Sequence, residues 1–162
     1  MSETGRDPEA LARTGIDAAK KEDYAMGLMV LAEAYNLLTK DKAKIPATTL
    51  SYYGVCLAHT GKTKEGIEFC QFAVGKDSFN AELYINLAKA YSAARSRRKA
   101  IEAVEKGLAL DPRSAALQRM RVTLGVRKSP VIPFLGRDNP LNVSLGKVRQ
   151  KMRSSAAKKK KA

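Results

Sequence analysis

Apolar residues in the segment 81–110 recur at helical rather than strand spacing. Tyr84, Leu87, Ala88 and Tyr91 stand at i, i+3, i+4 and i+7, and Ala100, Ala103, Val104 and Gly107 repeat that spacing sixteen residues later. Two such stripes predict two amphipathic helices, each with one face to bury. Asp111-Pro112 ends the second helix, because proline cannot continue it and the residue before proline is biased away from the αR region.

The pattern is repeated upstream with a period of 34. Numbered within the unit 81–114, the apolar and small residues just named occupy positions 4, 7, 8, 11, 20, 23, 24 and 27. The unit 47–80 puts Leu50, Tyr53, Gly54, Leu57, Gly66, Cys70 and Ala73 at positions 4, 7, 8, 11, 20, 24 and 27. A more divergent copy, 8–41, aligns Leu11, Gly15, Ala18, Tyr24, Gly27, Leu31 and Ala34 at positions 4, 8, 11, 17, 20, 24 and 27, and residues 42–46 separate it from the next. The small pairs Gly15/Gly27, Gly54/Gly66 and Ala88/Ala100 allow the two helices of a unit to approach closely, and Gly61 at position 15 suits the turn between them. One such unit cannot bury its apolar face alone, so the copies are expected to stack and to need a cap. Residues 114–126 supply one, with Ala115, Leu117, Met120 and Leu124 on one side and Gln118, Arg119 and Arg121 on the other.

The 34-residue pattern resembles the tetratricopeptide repeat. That resemblance implies an all-α, right-handed helix-turn-helix solenoid of three repeats with a C-terminal capping helix, the repeat domain spanning 8–128. It also implies a concave groove lined by positions 2, 5, 9, 12 and 13 of the first helices, where a peptide or helix of another protein lies. Here those positions are Glu9, Ala12, Ile16, Ala19 and Lys20, then Thr48, Ser51, Val55, Ala58 and His59, then Glu82, Ile85, Lys89, Ser92 and Ala93. The expected contacts are Ile16, Lys20, Ser51, Val55, His59, Ile85, Lys89 and Ser92. Co-chaperone members of the family clamp a C-terminal carboxylate with a set of Lys, Arg and Asn; Lys20 and Lys89, in different repeats, do not make that set.

Past the cap the pattern breaks. Residues 129–136 hold two prolines and four large apolar residues, which excludes helix, and such a strip is expected to dock, the segment 130–135 being an alternative filler of the groove. Asp138 or Asn139 then suits an N-cap with Pro140 in the first turn, and Leu141, Leu145, Val148 and Met152 make a narrow apolar stripe flanked by Lys147, Arg149, Lys151 and Arg153. Residues 154–162, SSAAKKKKA, carry charge without apolar content and are expected to be disordered.

Composition refines this picture in one respect. The 162 residues carry 30 Lys and Arg against 16 Asp and Glu, a net charge of +14, but residues 1–114 hold 17 basic and 15 acidic side chains while 115–162 hold 13 and one. A near-neutral body thus carries a cationic arm. With no Trp and ten other aromatics, the core is expected to be Leu, Ala and Ile. No secretory leader or membrane-spanning run is evident, and Cys56 and Cys70 have no metal-ligand or disulfide-framework spacing, which points to a reduced, cytoplasmic protein.

No catalytic constellation assembles. His59 is the single histidine, and Gly61-Lys62-Thr63 lacks the earlier glycine and preceding strand of a phosphate loop. Glu65, Glu68, Glu102 and Glu105 fall on helix exteriors, and the cysteines read as packing residues. The expectation is a non-enzymatic scaffold or adaptor for another protein, without cofactor or metal. One alternative is an adaptor that touches nucleic acid or an anionic surface weakly and nonspecifically through the basic arm, which lacks interleaved aromatics for single-strand stacking. Another is a chaperone of secretion-system substrates.

Overall fold

A computed structural model describes residues 7–38, 44–125, 140–141, 143–145 and 147–148. Among the described residues the repeat region holds, in order, α1 (Pro8–Lys20), α2 (Tyr24–Leu38), α3 (Ala47–His59), α4 (Thr63–Lys76), α5 (Ala81–Ala93), α6 (Arg97–Leu110) and α7 (Ala115–Thr123). The described residues contain no strand.

Helix ends are set by local chemistry. Asp7 caps α1 by accepting from the Glu9 amide at 3.0 Å ahead of Pro8, Asn80 caps α5 by accepting from the Glu82 amide at 3.0 Å, and the Ser114 hydroxyl accepts from the Leu117 amide at 3.4 Å. Each turn within a pair places its fifteenth repeat position in the left-handed region: Glu22 at φ 65°, Gly61 at φ 104° and Arg95 at φ 56°. The sequence signalled this geometry only at Gly61, because glycine alone adopts it without a Cβ penalty.

The helices of each pair pack antiparallel, and the second helix of one pair packs on the first helix of the next. The described residues within 1–126 form one compact unit, a solenoid of three helix pairs closed by a capping helix. Close approach within a pair depends on missing side chains. A Cβ on Gly54 would lie 2.6 Å from the Gly66 carbonyl oxygen, and one on Gly15 would lie 2.6 Å from Leu31 Cγ. In the third pair Ala88 and Ala100 are fully buried at the equivalent positions. The core is built from Leu31, Leu50, Leu57, Leu83, Val104 and Leu117 with alanines between them, plus an aromatic knot in which Phe69 meets Tyr35 and Tyr53 edge-on at 5.7 and 5.0 Å. Leu117 of α7 covers Gly107, and the Arg97 guanidinium donates to the Leu124 carbonyl at 2.9 Å through Nε and 2.6 Å through Nη2, which fixes the far end of the cap.

Beyond this unit, the described residues between 140 and 148 are helical, with Leu141, Leu145 and Val148 exposed. The strip 130–135, the caps Asp138 and Asn139, Met152 and the tail 154–162 lie outside the described residues.

Candidate partner-binding face

The first helices of the three pairs, α1, α3 and α5, lie side by side, since α3 packs against both of the others. Their common face is tied together by one polar cluster. Tyr52 on α3 donates its hydroxyl to Glu82 Oε1 on α5 at 2.6 Å, and the Lys20 ammonium at the end of α1 lies 3.5 Å from the same oxygen and 5.5 Å from the Tyr52 ring centre. Burial, and then the bond to Glu82, hold the Tyr52 hydroxyl well above the ordinary phenol range, so it remains a donor.

The residues expected from the sequence divide by exposure. Lys20, His59 and Ser92 are exposed, and Ile16, Ile85 and Lys89 are half-buried, all on the inner helices. Ser51 and Val55 are instead buried at 0% and 1% exposure, and Ala12, Ala19 and Ala58 are buried with them. The reason is packing between units: Val55 and Ala58 belong to one buried cluster with Cys70 of α4 and Leu87, Ala88 and Tyr91 of α5, and the end helix α1 likewise buries Ala12 and Ala19. Ser51 and Val55 therefore underlie the face and offer a partner no direct contact.

Two residues of the face were missed by the sequence reading, Tyr52 and Asn86. Both stand at the sixth repeat position, outside the set assigned to the groove. Asn86 is 1% exposed beside the Tyr52 hydroxyl, to which it is hydrogen-bonded, while its carboxamide oxygen and the Ser51 hydroxyl have no hydrogen-bond partner among the described residues. A readable signal existed, because Asn86 interrupts an apolar stretch one turn before Lys89. A buried polar atom left without a partner costs about 1–3 kcal/mol, which marks this floor as an uncommon place for polar atoms in a packed domain.

His59 stacks on Tyr24 with ring centres 4.0 Å apart and an interplanar angle of 13°. Burial first, and then the nearby Lys89 charge, lower its pKa from the usual histidine value, so the imidazole is neutral at pH 7. Lys89 itself has no carboxylate in ion-pair range among the described residues. Burial pushes the Cys56 thiol up to about 12 and Cys70 higher still, so both are inert packing groups. Gly61-Lys62-Thr63 is the turn between two helices, with Thr63 opening α4. Among the described residues no three His, Cys, Asp or Glu side chains are grouped to hold a metal ion, and no helix is long and apolar enough to cross a membrane. Of the arm, Lys147 is exposed, while Arg149, Lys151 and Arg153 lie outside the described residues.

The arrangement of helix pairs recurs in solved structures. The Sgt2 TPR domain from Aspergillus fumigatus superposes with a TM-score of 0.58 at 19% identity, over 74% of this chain and 78% of that one. MamA residues 41 to the end from Desulfovibrio magneticus RS-1 give 0.58 at 24% identity, over 91% and 77%. The first TPR of Spaghetti (RPAP3), solved bound to the HSP90 peptide SRMEEVD, gives 0.56 at 14% identity, over 72% and 89%. This chain has the tetratricopeptide-repeat fold. A scan against protein-family models and a search of the curated proteins give no match. The tetratricopeptide-repeat superposition accounts for the identical phase of the three helix pairs and for the side-by-side first helices, whose shared surface is the face described above.

Proposed function

We propose that this protein is a non-catalytic interaction scaffold that seats a peptide or a helix of another protein on the shared face of α1, α3 and α5. One observation carries the reading: Lys20, Tyr52 and Glu82, one from each of the three first helices, meet within hydrogen-bond or ion-pair range, so the three helices present one continuous surface. Around that cluster stand the exposed or half-buried side chains Ile16, His59, Ile85, Lys89 and Ser92. They combine apolar side chains with a lysine that has no carboxylate in ion-pair range among the described residues, the mixture that gives a docking face both area and polarity. The same fold with a peptide bound, in the Spaghetti (RPAP3) structure, supports the reading. The test is the full-length Ile85→Glu/Lys89→Glu variant. It should retain its helical circular dichroism and lose at least tenfold of the affinity for the partner that wild type retains in a pull-down. Undiminished binding would remove the face from consideration.

A further inference from the structure

A second surface lies on the other side of α5. Tyr84, Leu87 and Tyr91 recur at i, i+3 and i+7, and helical geometry turns them away from Ile85, Lys89 and Ser92. They floor a cavity of about 350 Å³ walled by α4 and α6.

The polar atoms at its rim are unevenly committed. Gln71 Nε2 donates to the Tyr91 hydroxyl at 2.9 Å, so the phenolic proton is left to donate to something else. Lys99 lies 5.7 Å from the centre of the Tyr91 ring. The two carboxylates of α6 are taken by arginines, Glu102 by Arg98 at 3.3 Å and Glu105 by Arg121 at 2.9 Å. Among the described residues Lys99 and Lys106, both in the wall, have no carboxylate in range. They stand two turns apart, about 10 Å along the helix.

The surroundings share this bias. Residues 7–94 carry ten Lys and Arg against eleven Asp and Glu, whereas 95–125 carry eight against three. Helix α6 and the cap are therefore the cationic end of an otherwise balanced domain, which attracts acidic partners over a Debye length of about 8 Å at physiological salt.

We propose that this furrow docks an extended acidic segment of a partner protein, in which an apolar side chain fills the Tyr84–Leu87–Tyr91 floor and flanking carboxylates pair with Lys99 and Lys106. The 10 Å between the lysines matches one turn of a polyproline-II-like extended segment, three residues at about 3.1 Å each, which brings i and i+3 back to the same side; the segment therefore carries two carboxylates three residues apart with apolar residues between them. A phosphate group suits the furrow less well. Glu102, its charge only partly offset by the exposed pair with Arg98, stands between the two lysines and repels a dianion more than a carboxylate, and a nucleic-acid backbone lying across the rim would leave the apolar floor unfilled.

The probe is the synthetic peptide acetyl-Gly-Glu-Leu-Leu-Glu-Gly-amide, titrated into the isotopically labelled full-length chain and followed by amide chemical shifts. The expected shifts cluster at Gln71, Tyr91, Lys99 and Lys106. Affinity should drop at least fivefold in Lys99→Gln/Lys106→Gln, stay unchanged in Lys89→Gln, and weaken with added salt. No shifts at millimolar peptide, equal binding of the peptide with lysines in place of its glutamates, or shifts centred on Ile85 and Lys89 would each overturn the proposal. So would a duplex RNA that shifts these same residues while the peptide does not, which would reassign the furrow to nucleic acid. Because Lys89→Gln alters the other face of α5, failure here and failure of the inner face remain distinguishable.

Discussion

Tyr52 and Glu82, thirty residues apart, are joined by a 2.6 Å hydrogen bond between the middle and last of the three first helices, and Lys20 closes on the same carboxylate from the first. Stacking of repeats usually rests on apolar contacts between neighbours. Here a charge-assisted bond reinforces the stack on the face proposed to seat a partner. Tyr52→Phe should therefore destabilise by about 1.5–3 kcal/mol, the range for hydrogen bonds to charged groups. Urea denaturation checks it, and a change within 0.3 kcal/mol would show that the bond contributes little.

Contact within the pairs predicts a steep penalty for added volume. Gly54→Leu places a side chain where even a Cβ would meet the Gly66 carbonyl oxygen at 2.6 Å, and Ala88→Leu fills a fully buried site. Each should cost about 1–3 kcal/mol or more, read as a lowered thermal midpoint.

Two glycines should respond to alanine with opposite signs. Gly61, at φ 104°, has nothing within 4 Å of an added Cβ, so Gly61→Ala is penalised by conformation alone, about 1 kcal/mol or more. Gly75, also with open space around its Cβ, lies within helix α4, where Gly75→Ala should gain up to about 1 kcal/mol. Chemical denaturation of the two variants separates conformation from packing.

The contrast between these positions shows what the sequence made legible. Tyr84, Leu87, Ala88 and Tyr91 revealed their helix through spacing, and the glycine pairs revealed which helices touch, because both signals are local and periodic. Left-handed turns at Glu22 and Arg95 were invisible, since neither residue type favours φ above zero. The burial of Ser51 and Val55 was hidden for another reason: repeat position assigns a side chain to a face, but only its neighbours decide whether solvent reaches it. That Tyr84, Leu87 and Tyr91 floor an open furrow between α4 and α6 depends on packing between units, which their spacing does not report.

Acid should weaken the domain through His59. Its folded pKa is lowered by burial and then by Lys89, so as pH falls below about 6.5 the unfolded chain takes up a proton that the folded chain resists. Stability is then lost progressively until the folded pKa is passed, below which no further loss comes from this group. An NMR titration of the imidazole should give a midpoint below the ordinary value, moving upward in Lys89→Gln. The variant His59→Gln should lose this part of the pH dependence.

The most direct test of the partner face is a photo-crosslinking amino acid placed in the full-length chain at Ser92, exposed on α5, and separately at Met29, exposed on the outer side of α2. Irradiation with the bound partner should give an adduct from position 92 that Ile85→Glu/Lys89→Glu abolishes, and none from position 29. An adduct from position 29 with none from position 92 would contradict the assignment of the inner helices as the binding face.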